Sequence, residues 1–244
     1  MKQLFISDLH LDESHPEITE FFFLFMNKIA SDADRLFILG DFFEAWIGDD
    51  EQTPLQVKVA DCLANQANRG TEIFLMHGNR DFLLGEQFAA QCEAKLLDDP
   101  TIIDINGRRT IISHGDNLCI DDKEYMKFRS FARNPAWQQQ VLGRPLDERK
   151  KMAEQMRQLS MAKNQQKSAE IMDVNQEEVE KVLDQYDVDL MIHGHTHRPQ
   201  THEIDLGNKT AQRIVLGDWH DTTHYIIATE DKIGLIKLRI SDLQ

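Results

Sequence analysis

The chain has 244 residues, 41% of them hydrophobic and 28% charged, which is enough apolar side chain for a sizeable core and excludes a disordered polymer. A formal net charge of −15 excludes general nucleic-acid binding, because affinity for a phosphate backbone comes from Lys and Arg displacing counterions. Three widely spaced cysteines, Cys62, Cys92 and Cys119, with no Cys-x-x-Cys pair, argue against a disulfide framework and suit a reducing cytoplasm.

The N-terminus enters a strand at once, at residues 4–7, without the apolar region or small-residue cleavage site of a signal peptide. A helix is expected from Pro16, favourable as a first helical residue, to about residue 30. It contains the longest notable apolar run, Phe21 to Met26, six residues. That is far short of the eighteen or so needed to cross a membrane, so the run is expected to be packed under other elements. Strand 36–39 follows, then Phe42, Phe43, Trp46 and Ile47, which suit a core and an apolar substrate pocket equally well. Asp49, Asp50 and Glu51 are expected to form a solvated loop. A helix over 54–69, closed by Gly70, and a strand over 73–77 complete a strand-helix-strand-helix-strand series, hence a parallel arrangement with right-handed crossovers.

From residue 96 to 113 the pattern changes to short β segments, with Asn106-Gly107 as a hairpin turn. Residues 121–170 are helical and polar, broken at Pro135 and at Gly143-Arg144-Pro145. They are expected to form a helical lid inserted into a single domain spanning 1–244. This insertion is basic: residues 123–167 hold eleven Lys and Arg against four acids. It therefore suits a phosphate-bearing ligand and anionic lipid headgroups, each cation near a membrane surface being worth about 1 kcal/mol. Asn175 with Glu178 caps a further helix, strand 188–193 follows, and the tail reads as antiparallel β with turns at 207–208 and 231–232. The expected fold class is α/β, a two-sheet β-sandwich flanked by helices.

Five short stretches carry the chemistry: Asp8-Leu9-His10, Gly40-Asp41-Phe42-Phe43-Glu44, Gly78-Asn79-Arg80-Asp81, Ser113-His114-Gly115-Asp116 and Gly194-His195-Thr196-His197. Each follows a predicted strand, and strand carboxyl ends are where ligands gather in sheets covered by helices. Asp8, His10, Asp41, Asn79, His114, His195 and His197 offer seven oxygen or nitrogen donors and no sulfur. One divalent ion takes three or four protein ligands, so seven convergent donors point to two ions with a carboxylate such as Asp41 between them. The mixed set suits Mn²⁺, Fe or Zn²⁺ better than Ca²⁺ or Mg²⁺. Two divalent ions, offset by Asp8, Asp41 and a hydroxide nucleophile, leave a local charge of about +1 inside an acidic protein, a place for an anionic phosphate. Arg80 adds a planar fork of donors for phosphate oxygens.

These motifs, in this order from Asp8 to His197, resemble the calcineurin-like dinuclear metallophosphoesterases. The resemblance implies that Asp8, His10, Asp41 and His197 hold one metal and Asp41, Asn79, His114 and His195 the other. In one respect the chain departs from that family, whose third motif commonly reads Gly-Asn-His. Arg80 is no useful proton donor near neutral pH, which favours a leaving group already stable as an anion, such as a phosphate. The Gly-Asn-Arg-Asp variant, the stretch from Gly40 to Asp50, the basic insertion and the full length are similar to one branch of the family, which acts on UDP-2,3-diacylglucosamine in bacterial lipid A synthesis.

That closer resemblance implies a diphosphatase in which water attacks the α phosphorus, giving UMP and 2,3-diacylglucosamine 1-phosphate, with Mn²⁺ as the usual metal. It implies substrate contacts from Asn79, Arg80, Asp122, Ser160, Asn164, Lys167 and His195, with Arg80, Asn79 and His195 serving catalysis. It also implies a peripheral position on the cytoplasmic face of the inner membrane. Met152, Met156, Leu159 and Met161, with Phe42, Phe43 and Trp46, are candidates for an acyl channel, although such spacing also suits ordinary helix packing. A phosphoesterase for a soluble nucleotide or a phosphoprotein is the alternative, and a non-catalytic scaffold the reading from another class. His77 and His193 are expected to be structural histidines, Asp81 and Asp116 to orient neighbouring ligands, and Gly217-Asp218-Trp219-His220 to support the site from nearby.

Overall fold

A computed structural model describes residues 1–164, 171–207 and 209–244; of residues 161, 163 and 164 only the backbone is described. Strands β1 (Gln3–Ile6), β2 (Arg35–Leu39) and β3 (Glu72–Met76) pair in parallel, joined by helices α1 (Pro16–Lys28) and α2 (Pro54–Ala67). Both helices begin on proline, and Thr53 and Gln56 form a reciprocal capping box at the start of α2. A short helix α3 (Glu86–Gln91) leads to β4 (Ala94–Leu97), which extends the sheet beside β3. Six residues are too few to show a helical period, so α3 was not legible in the sequence.

The hairpin of β5 (Thr101–Ile105) and β6 (Arg108–Ser113) turns at Asn106 and Gly107, both at positive φ (55° and 83°), as an Asn-Gly turn requires. It opens a second sheet. There β6 pairs in parallel with β7 (Leu190–His193), and β7 with β9 (Thr210–Val215), while β8 (Gln200–Asp205) lies antiparallel at the edge. Helix α7 (Gln176–Gln185), capped by Asn175, precedes β7. The last hairpin, β10 (Thr222–Ala228) with β11 (Ile233–Arg239), returns to the first sheet, β10 lying antiparallel to β1. The expected antiparallel tail is thus divided between the sheets, and the crossing segment after β9 passes the carboxyl ends of the parallel strands.

Among the described residues the strand orders are β11-β10-β1-β2-β3-β4 and β5-β6-β7-β9-β8. The sheets face each other across Phe5, Phe37, Leu39, Ile112, Ile192 and Ile214, all buried. Phe5, Phe37 and Phe74 stack in a row across β1, β2 and β3, with centroids 4.7 and 4.6 Å apart. On the outer face, Phe21, Phe22 and Phe25 of α1 are fully buried and surround Trp219. Each such ring contributes about 1.5 to 3 kcal/mol by burial. The apolar run of α1 is therefore core, as its composition suggested.

Helices α4 (Lys123–Ala132), α5 (Pro135–Leu142) and α6 (Leu146–Asn164) occupy the segment expected to be helical, and they break where Pro135 and Gly143 predict. Their attachment differs from expectation. Arg149, almost fully buried, donates to the Ile47 carbonyl at 2.6 Å and to both oxygens of Asp50, and Lys150 pairs with Glu51 at 2.9 Å. Asp49 accepts from Trp46 Nε1, Gly85 N and Phe88 N, each at 2.9 Å. The Asp49-Asp50-Glu51 stretch is therefore an anchor, since three carboxylates in a row serve as fixed acceptors for a buried arginine and a helix start. Arg129 bridges Asp99 and Asp116, and Arg133 donates to the His77 and Gly78 carbonyls. With Arg157, which meets Glu44 at 3.2 Å, five of the insertion's described cations face partners outside it, and Arg144 pairs with Glu148 within it. Composition reveals an excess of charge but not which partner neutralises it.

Candidate active site

The five motifs converge at the carboxyl ends of β1, β2, β3, β6 and β7. Close approach of their turns explains the glycines. A Cβ on Gly78 would collide with Asp41, and one on Gly194 with Asp8 and Ser7. Asp8, His10, Asp41, His195 and His197 all have φ between 48° and 67°, a left-handed backbone that carries strain at non-glycine residues and clusters at functional sites. The turns hold one another in this state. Asp8 N donates to the Gly40 carbonyl at 3.1 Å, His10 N to that of Asp41 at 3.0 Å, His195 N to Asp8 Oδ2 at 2.9 Å and Arg80 N to Asp41 Oδ1 at 2.8 Å. Asp81, fully buried, accepts from Gly78 N and Phe42 N, both at 2.7 Å, tying the second motif to the third.

The side chains form two adjoining groups. Ligand atoms of Asp8, His10 and His197 lie within 4.8 Å of one another, as do those of Asp8, Asp41 and His114. Asp41 stands between them, Oδ2 3.8 Å from His10 Nε2 and Oδ1 3.7 Å from His114 Nε2. His10 and His197 face each other with Nε2 atoms 3.5 Å apart, and His114 Nε2 lies 2.9 Å from Asn79 Oδ1. His195 stays outside the tight groups. Its ring meets that of His114 edge-on at 5.0 Å and lies against Tyr125 at 5.9 Å. All seven expected donors thus come together, six in close contact and His195 at the rim.

The electrostatics of this cluster call for a cation. Burial alone would favour neutral imidazoles, yet Asp41 and Asp8 push His114 up to about 9. His197 likewise rises to about 10, against burial, through its bonds to Asp218 and Asp8. Asp8 is held low, although burial opposes this, by His197, His114 and His10, whereas burial raises Asp41. His195 falls to about 4 through burial and the neighbouring His114. Two buried carboxylates that favour protons on nearby imidazoles, with ring nitrogens turned to the same space, fit divalent metal ions, which would replace those protons and take the lone pairs so freed.

A cavity of about 540 Å³ opens from the cluster under the insertion, lined by Asn79, Arg80 and His195 at one end and by Trp46, Phe82, Phe128, Trp137, Met152 and Met156 farther along. Asp122, which caps α4, and Ser160 on α6 also line it. Met156 and Leu159 are on its wall as expected, but Phe42 and Phe43 are not. They are 1% and 2% exposed and pack on Phe22, Trp46 and Phe88, because the turn after β2 sends both rings into the core beside α1 and α3. The side chains of Met161 and Asn164, and all of Lys167, lie outside the described residues.

Sequence reasoning passed over Glu44, Tyr125 and Arg157 as site residues. Glu44 Oε2 lies 2.9 Å from His10 Nδ1, in a contact bent away from a linear hydrogen bond, while Oε1 meets Arg157 at 3.2 Å and Arg80 at 3.8 Å. Its position three residues after Asp41 was the available signal; nothing in the sequence marked Tyr125 or Arg157. Asp218, on the crossing segment, supports the site as expected, 3.2 Å from His197 Nδ1. His193 is structural, fully buried between Arg213 and the Gly194 carbonyl, and His77 contacts the Leu84 carbonyl. Asp116 serves a different purpose from the expected one: it receives Tyr125 and Arg129, fastening α4 to the turn that carries His114.

Residues 1–199 match the family model described as calcineurin-like phosphoesterase. The chain belongs to the calcineurin-like phosphoesterase family. Among its relatives, a UDP-2,3-diacylglucosamine hydrolase of Hahella chejuensis is 53% identical over 100% of both chains. A protein of the same name from Marinobacter nauticus is 54% identical over 95% of each, and one from Cellvibrio japonicus 50% identical over 90% of this chain and 92% of its own. The family is one of divalent-metal phosphoesterases, and the buried carboxylate and imidazole groups are the candidate residues to hold such ions.

Proposed function

We propose that this phosphoesterase hydrolyses the diphosphate of UDP-2,3-diacylglucosamine, water attacking the α phosphorus to give UMP and 2,3-diacylglucosamine 1-phosphate, with Mn²⁺ in both metal subsites. The observation that carries this reading is the apolar cavity opening directly from the metal cluster. A volume of about 540 Å³ is in the range of sites that bury a ligand's apolar body, and a soluble nucleotide or a phosphoprotein has no use for such a wall beside the phosphate.

Asp8, His10, Asp41 and His197 would hold one ion and Asp41, Asn79, His114 and His195 the other. Bound divalent ions supply polarisation of the phosphoryl group and water that is nucleophilic near neutral pH. The chain's own residues do the rest. Asn79 and Arg80 border the cluster on the cavity side, where the guanidinium meets phosphate oxygens and stabilises charge developing in the transition state. Because the departing phosphate needs no proton, an arginine at this position serves where a histidine would be required for an alkoxide. Asp122 and Ser160 offer polar contacts to the sugar under the insertion, and Asn164 and Lys167 complete the proposed set. Trp46, Phe82 and the α6 methionines exclude water around the acyl chains.

The insertion is proposed to act as a firmly anchored cover over the cavity and as the face toward the membrane. Phe131 and Leu142 are 52% and 40% exposed, and Lys123, Lys127 and Lys151 of the same insertion are exposed as well. No helix among the described residues is long and apolar enough to cross a membrane, so peripheral attachment to the cytoplasmic leaflet is the form proposed. Purified protein with Mn²⁺ and the diacylated UDP-sugar should release UMP. Faster hydrolysis of a soluble nucleotide diester or a phosphopeptide than of the diacylated substrate would overturn the assignment.

A further inference from the structure

The histidines of the two metal subsites are not backed alike. His10 and His197 turn Nε2 toward each other, and behind each ring stands a carboxylate, Glu44 Oε2 at 2.9 Å from His10 Nδ1 and Asp218 Oδ2 at 3.2 Å from His197 Nδ1. His114, on the other side, has the backbone carbonyl of Leu39 behind its Nδ1 at 2.9 Å. A carboxylate close to Nδ1 favours the tautomer that carries the proton there, orients the ring and raises the basicity of Nε2 through its charge, even where the contact is bent as at His10, whereas a neutral carbonyl mainly orients.

We propose that Glu44 and Asp218 are positioning residues for His10 and His197, and that they make the subsite of Asp8, His10, Asp41 and His197 hold its divalent cation more tightly than the subsite of Asp41, Asn79, His114 and His195, where no such carboxylate stands behind His114. This rests on the metal assignment given above. Both carboxylates are themselves held. Glu44 is 14% exposed and its second oxygen is engaged by Arg157 and Arg80, which directs Oε2 to His10. Asp218 comes from the segment that crosses between the sheets, beyond residues 1–199 covered by the family model, so the subsite is finished by a part of the chain that the five motifs do not include. The more loosely held ion is then the one beside Asn79 and Arg80, where the phosphate must be gripped.

Binding of Mn²⁺ to the metal-free full-length chain, followed by equilibrium dialysis with metal analysis, tests this. The wild type should bind two ions in two resolved steps. Glu44→Gln and Asp218→Asn should each weaken the tighter step about 10- to 100-fold and leave the looser step within about twofold, while Asn79→Ala should weaken the looser one. The thermal midpoint of each metal-free variant separates this from general damage, which would affect both steps and the midpoint together. Two indistinguishable steps in the wild type, unchanged binding by both carboxylate variants, or equal losses on both steps would overturn the proposal. A wild type that binds fewer than two ions would overturn the metal assignment beneath it.

Discussion

At the scale of single residues, the chemistry depends on side chains whose backbones are strained. Five of the seven donors have a left-handed φ, tolerable for Asp and His because neighbouring turns supply the hydrogen bonds that hold them there. The motifs were legible in the sequence because such turns demand particular residues, glycine where backbones touch and Asp or His where a donor must follow at once. Arg80 is of another kind: it lines the cavity, is partly exposed and lies 3.8 Å from Glu44. Arg80→Ala should therefore keep Mn²⁺ binding and lose roughly a hundred- to a thousandfold in turnover, the effect of removing one preorganised charge stabiliser. Turnover and metal content measured on the same sample check this, and unchanged turnover would remove Arg80 from the mechanism.

At the scale of elements, the insertion is fastened more firmly than a loosely hinged lid would be. Arg149 reaches through α6 to the Ile47 carbonyl and to Asp50, and Arg129 ties α4 to the acceptors around the His114 turn. Because the far end of the Arg149 pair is exposed on Asp50, its Coulombic part is modest; most of its worth is in the buried bond to the carbonyl and in the fixed position of α6. Arg149→Leu should raise KM for the diacylated substrate about tenfold, an effect of roughly 1.4 kcal/mol, and change kcat little. A steady-state comparison with the wild type tests this, and a loss confined to kcat would place Arg149 in the chemistry instead.

At the scale of the whole molecule, two sheets deliver donors from five places in the chain to one rim and a crossing segment adds the supporting carboxylate of Asp218, and the resulting cluster gathers negative charge in a protein already at −15. Such a cluster is stabilised by what it binds. Chelator treatment should abolish turnover and lower the thermal midpoint, and Mn²⁺ at about 100 times its dissociation constant should return about 2.7 kcal/mol of stability. Thermal unfolding of metal-free and reloaded protein measures this, and equal midpoints would deny the ions any part in holding the fold.

The donors, the order of the strands that carry them and the existence of the helical insertion could be read before any coordinates, because strand ends and tight turns are local matters of residue type and spacing. Two things could not, and for Asp218 the sequence offered a place beside the site but not its partner. The fate of Phe42 and Phe43, the conversion of Asp49, Asp50 and Glu51 from an expected loop into an anchor, and the choice of His197 as the partner of Asp218 all depend on segments distant in the chain: α1 and α3, Arg149 and Lys150, and the turn after β7. Burial and pairing are properties of two surfaces that meet, and a linear pattern describes only one of them at a time.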